Sequence, residues 1–263
     1  MNERRSNADT DLGVDIETEI DVPADPLAGH PAAAYFWGHV AGSGDVSDGE
    51  RAVRSDARTE TCERQSREQL EVTTTDEASA QVLAAVAGGT IEHDASSREY
   101  AHDASITRTE DEYTLSIDGD DGLLGRTSTL GLPVDGRGTY RFDAFSSHDR
   151  ELLRGLLEGC GTICFKSSSG TVGVSFVHDD RGLLEVVREL IADCPVDAPT
   201  GELSETSSGG YWFGVDDAAA PAFGAWLYED CEETGLFAPS RRRKLERSLE
   251  QADAYDESDD RLE

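Results

Sequence analysis

The sequence predicts an α+β chain of two pseudo-symmetric αββαββα repeats, with two central helices paired under antiparallel sheets. Three observations predict it. FWGHVAGSG (residues 36–44) and LLRGLLEGCG (residues 152–161) carry glycine at the same three offsets. Helical periodicity and strand alternation take turns along the chain, and their order repeats. The strand pairs of the second half are joined by Ser/Gly turns. The repeats are expected over residues 30–135 and 136–250. Acidic, disordered segments are expected at 1–29 and 251–263.

Each element has a local reason. Pro31 and the small residues after it start a helix that runs to Gly42. Residues 47–67 mix arginine with glutamate and read as an inserted, solvated loop. QLEVTTT alternates as a strand. Asp76 caps the helix of DEASAQVLAAVAGG, which ends at Gly88. TIEHD, SITRT and EYTLSI read as separate strands, and DDGLLGRTSTLGL as a short helix closing the repeat. In the second half, SHDRELLRGLLEG is a helix with a serine cap. TICFK and TVGVSFV form a hairpin across Ser-Ser-Ser-Gly. DDRGLLEVVRELIADC is an amphipathic helix, LSETSSGGYWFGV a second hairpin, and DDAAAPAFGAWLYED and SRRRKLERSLEQ the closing helices.

Composition bounds the setting. The 263 residues carry 55 acidic and 23 basic side chains, a net charge of −32. The periodic apolar pattern argues against disorder as its cause. A carboxylate-rich surface kept soluble in molar salt, where the Debye length falls to about 3 Å, accounts for it. A halophile is the expected setting. The five cysteines have no framework spacing, and no apolar run spans a membrane. Reduced thiols in a cytoplasmic protein are expected.

Glycines four residues apart let two helices approach backbone to backbone, because no Cβ intervenes. Gly38 and Gly42 of one helix are therefore expected against Gly155 and Gly159 of the other, giving a monomer that is an internal pseudo-dimer. These stretches resemble the LAGLIDADG motif of homing endonucleases, in a degenerate, two-repeat single chain. The closing WLYED and SRRRKLERS are similar to the family's ending. The resemblance spans roughly residues 32–251 and is stronger in the second repeat.

The resemblance implies a carboxylate just before the final glycine of each motif helix, the two together holding Mg²⁺ for phosphodiester hydrolysis. Those positions here are Ser43 and Cys160. A lone hydroxyl and a soft thiol are poor ligands for a hard cation. No catalytic residue, metal site or cofactor is therefore expected, Mg²⁺ entering only if the chain cuts DNA. Glu158 is expected on another face of its helix, and Asp45 follows the final glycine of the first motif. The resemblance also implies a sheet surface that lies on DNA. The candidate phosphate or anion contacts are few: Lys166 and Arg108 on strands, and Arg241, Arg242, Arg243 and Lys244 on the last helix.

Other motifs have simpler readings. His102-Asp103 and His178-Asp179-Asp180 read as strand ends or helix caps. Trp212 should face away from Tyr211 and Phe213, so one side of that strand presents an aromatic patch. The chain also resembles a haloarchaeal group labelled cobalamin biosynthesis protein, through PAAAYFWGHVAGSGD, LLEGCGTICFKSSSGTVGVSFVHDD and GLFAPSRRRKLERS. The expected function is a catalytically inactive accessory or regulatory binding protein, with an unknown protein or small-molecule partner and an association with cobalamin biosynthesis. The alternative is a DNA-binding protein or a transcription regulator derived from a homing endonuclease.

Overall fold

The structure, a computed structural model, describes residues 20–25, 27–48, 68–100, 103–118, 130 and 139–259. The first half runs α1 (Pro31–Ser43), β1 (Gly44–Asp48), β2 (Glu68–Thr74), α2 (Glu77–Ala87), β3 (Thr90–Tyr100) and β4 (Asp103–Asp118). The second runs α3 (Asp149–Cys160), β5 (Gly161–Lys166), β6 (Thr171–His178), α4 (Arg181–Asp193), β7 (Ser204–Glu205), β8 (Tyr211–Gly214), α5 (Ala220–Tyr228), the single turn α6 (Cys231–Thr234) and α7 (Pro239–Asp259).

Each half forms one four-stranded antiparallel sheet, ordered β1-β2-β4-β3 and β5-β6-β8-β7. The shared order is the two-repeat α+β architecture that the sequence predicts. One face of each sheet is apolar and packs under the helices: Leu70, Val72, Leu115 and Ile117 in the first, Ile163, Val172, Val174, Phe176 and Phe213 in the second. Strand alternation leaves the opposite faces open to solvent.

α1 and α3 pack side by side, in parallel, at the centre of the core. α1 is buried along nearly its whole length, from Ala32 to Gly42. α3 is amphipathic and buries Leu152 to Glu158. Local signals start and stop these helices. His30 accepts a hydrogen bond from the Ala32 amide ahead of Pro31. Asp76 accepts from the Ala78 and Ser79 amides, and Gly88 ends α2 at φ 75°.

Several elements differ from the sequence expectation. SITRT and EYTLSI are one strand, β4, because β3 pairs with it from Thr90 to Tyr100 and holds it extended. α3 has no serine cap. A 3₁₀ turn at Asp143–Phe145 leads into the helix, His148 takes the cap position, and its ring meets the Gly29 carbonyl. Asp149 and Glu151 supply the negative charge that this helix start favours. α7 runs on to Asp259, past the tail boundary expected at 251, because Tyr255 packs against Phe165 and the Gly170 turn. Ile20 and Leu27 also pack on the core, ahead of residue 30. β1 takes in Ser47 and Asp48, the first two residues of the loop expected over 47–67, and the rest of that loop lies outside the described residues. So does the short helix expected near 120–132, apart from buried Leu130.

Candidate functional site

The two motif helices touch through their glycines. A Cβ built on Gly42 would stand 3.1 Å from the Gly159 Cα and 2.9 Å from the Cys160 amide nitrogen. One built on Gly159 would stand 3.1 Å from the Gly42 Cα and 2.8 Å from the His39 carbonyl oxygen. At the next turn back, a Cβ on Gly38 would overlap the Leu152 carbonyl, and one on Gly155 the Tyr35 carbonyl. The relation is two-fold: each helix offers its glycine to the carbonyl three residues before the other's.

The final glycines are not left-handed caps. Gly44 and Gly161 are extended, with φ of −83° and −99°. They are glycine because a Cβ would strike the Val40 and Leu157 carbonyls of their own helices. Each helix thus turns directly into the first strand of its sheet.

The motif positions Ser43 and Cys160 sit at these adjacent tips. The Ser43 hydroxyl donates to the His39 carbonyl at 3.2 Å and meets His39 Nδ1 at 3.0 Å. The His39 ring reaches across to Ser79 of α2. Its burial, reinforced by the nearby positive charge of Arg241, lowers the imidazole to about 4, so it is neutral near pH 7. The Cys160 thiol donates to the Leu156 carbonyl at 3.3 Å. Burial pushes that thiol up to about 12, which keeps it protonated. Mg²⁺, which the resemblance implies, needs hard oxygen ligands. A hydroxyl and a protonated thiol, each turned back on its own helix, do not fit it.

Glu158 also stays away from the tips. It is buried, and accepts from the Tyr35 hydroxyl at 2.5 Å and from the Ala238 amide at 2.9 Å. Burial raises its carboxyl to about 7, against the opposing pull of those hydrogen bonds and of Arg154. Arg154, one turn earlier, donates to the Leu227 and Leu236 carbonyls and lies 5.9 Å from the centre of the Tyr228 ring. The pair therefore ties the segment after α5 to the central helices. The i, i+4 spacing of Arg154 and Glu158 was readable in the sequence; that both turn inward was not.

The basic candidates are dispersed. Lys166 pairs with Asp217 at 2.5 Å, and Thr171 holds the other carboxylate oxygen. Arg242 pairs with Glu232 and Glu246 and lies over Phe237. Arg241 is half-buried, while Arg243 and Lys244 are exposed. Arg108 stands opposite Arg98 in the β3–β4 register. On the open face of the first sheet, the described side chains include Glu71, Glu92, Asp94 and Glu112. His178 and Asp180 act locally: His178 accepts from the Asp180 amide, and Asp180 caps α4. Phe213 is buried while Trp212 faces solvent. Among the described residues, no helix is long and apolar enough to cross a membrane.

Solved structures similar to this chain include two homing endonucleases and a LAGLIDADG domain. The homing endonuclease I-WcaI, solved bound to its DNA recognition sequence, is similar in fold at a TM-score of 0.50. It is 7% identical, with 83% of this chain and 87% of that one covered. I-DmoI, solved with DNA and Mn, gives a TM-score of 0.48 at 12% identity, covering 78% of this chain and 99% of that one. The N-terminal LAGLIDADG domain of DUF199/WhiA gives 0.45 at 10% identity, covering 81% and 85%. A comparison with curated proteins finds no match. A family model described as "Putative archaeal homing endonuclease" matches residues 13–65 and 62–255. Through that match, which takes in both glycine-notched helices and both sheets, the chain belongs to this LAGLIDADG family.

Proposed function

We propose that this protein binds a partner without cutting DNA, as an accessory or regulatory member of its family. One observation carries the reading. At the adjacent helix tips the motif side chains are the Ser43 hydroxyl and the Cys160 thiol, both bonded within their own helices. Hydrolysis of a phosphodiester by this fold calls for hard ligands to a divalent ion at that point. The chain acts as a monomer in this reading, because the surface that would pair two one-repeat subunits is already used inside it. A place beside cobalamin biosynthesis rests on the sequence resemblance alone.

The second reading is a DNA-binding regulator. It draws on relatives solved on DNA, I-WcaI among them. Against it stand the carboxylates on the open face of the first sheet, which repel phosphates, and the commitment of Lys166 to Asp217.

A mobility-shift and cleavage assay in molar potassium chloride, with and without Mg²⁺, tests both readings. No cleavage of a randomised duplex pool is expected. Cleavage that requires Mg²⁺ would overturn the first reading. Sequence-selective retention of duplex without cleavage would establish the second.

A further inference from the structure

The open face of the second sheet carries an apolar pair that no part of the described chain covers. Val177 on β6 and Trp212 on β8 are register partners, 45% and 43% exposed. The indole leans along its strand toward Gly214, where a Cβ would still stand 3.9 Å away. The neighbouring rows on this face, Thr162–Ser175–Gly214 and Cys164–Gly173, are small. Trp212 therefore stands at the side of a shallow floor. Exposed Asp179 ends the row beside Gly210, and Asp217 closes the far side, where it neutralises the lysine of this face, Lys166.

Charge decides what such a face accepts. A nucleic acid would bring phosphates against exposed Asp179, and against Glu71, Glu92, Asp94 and Glu112 on the other sheet. A second copy would bring another net charge of −32. A basic polypeptide meets neither obstacle. Its guanidinium or ammonium groups stack on an exposed indole and pair with the carboxylate of Asp179 beside it. Resting on the non-cutting reading above, we propose that this sheet face is a docking site for a basic polypeptide segment, anchored on Trp212.

Titration of the full chain with a short Arg-Gly repeat peptide tests the proposal. Binding is followed by the fluorescence anisotropy of a dye-labelled peptide, at the lowest potassium chloride concentration that leaves the far-UV circular dichroism unchanged. The anisotropy should rise on adding the parent. Trp212→Ala should weaken binding by about tenfold or more, and Trp212→Phe should retain most of it. Exchanging remote carboxylates, as in Glu189→Gln with Glu250→Gln, should change affinity by less than about twofold. Equal affinity of Trp212→Ala and parent would overturn the proposal. So would equal loss in the remote variant, which would mark non-specific attraction to a polyanion. Duplex DNA that displaces the peptide, or self-association that Trp212→Ala abolishes, would assign the face to another occupant. The non-cutting reading is scored separately by cleavage, so either can fail while the other stands.

Discussion

Gly42 and Gly159 meet at the pseudo-two-fold axis, each so placed that a Cβ on one would lie 3.1 Å from the Cα of the other. The contact is between backbones, and it sets how closely the two sheets can approach. One turn earlier, Gly155 faces the Tyr35 carbonyl with no flexible side chain to give way. Gly155→Ala should therefore cost roughly 1–3 kcal/mol or more, measured by urea unfolding. Gly201→Ala, where the nearest atom is 3.6 Å from the added carbon, serves as the mild comparison. Equal costs at the two sites would contradict the close packing.

Two buried groups give opposing pH dependences. Glu158 titrates near 7 in the folded chain, above the usual carboxylate value. Its contribution is fully present at low pH and is lost as pH rises from about 4.5 through 7. His39 titrates near 4 when folded, below the usual imidazole value. Its contribution is present above about 6.5 and is lost as pH falls toward 4. Each amounts to roughly 3 kcal/mol across its window. Between pH 4.5 and 6.5 the two slopes should nearly cancel. Glu158→Gln should leave stability rising with pH over that window, and His39→Asn should leave it falling. Urea midpoints at several pH values read both slopes, and parallel profiles for parent and variants would refute the assignment.

Placing hard ligands at the two motif positions should create an ion site between the helix tips. The double variant Ser43→Asp, Cys160→Asp is expected to take up one divalent ion between the helix ends, seen as Mn²⁺ binding by electron paramagnetic resonance and as a higher melting temperature with Mg²⁺. Neither single variant should do so, because one carboxylate does not neutralise the cation or span the pair. A folded double variant that takes up no ion would contradict the adjacency of the two tips.

The end of α7 is also open to test. Tyr255 is 38% exposed, yet its ring stacks edge-on to Phe165 with centroids 6.4 Å apart and fills the space over Gly170. Tyr255→Ala should destabilise by about 1 kcal/mol and raise amide exchange in the last turns of the helix. Unchanged exchange there would mean that the tail is held by something else.

The sequence alone determined the paired helices and the two-sheet plan. Both follow from local properties: a glycine has no Cβ wherever it sits, and alternation fixes which face of a strand is apolar. It also determined that Ser43 and Cys160 occupy the motif positions, and that Trp212 faces away from Phe213. Tertiary structure alone decided where the polar side chains spend their hydrogen bonds. Glu158 turns in to Tyr35 and Ala238, Lys166 is neutralised by Asp217, and Arg241 acts on His39 and Cys160. Each partner lies far away along the chain, and nothing in the spacing of either residue encodes the meeting. For the same reason the acidic end of α7 reads as disordered in the sequence, until Phe165 and Gly170 give Tyr255 a surface to cover.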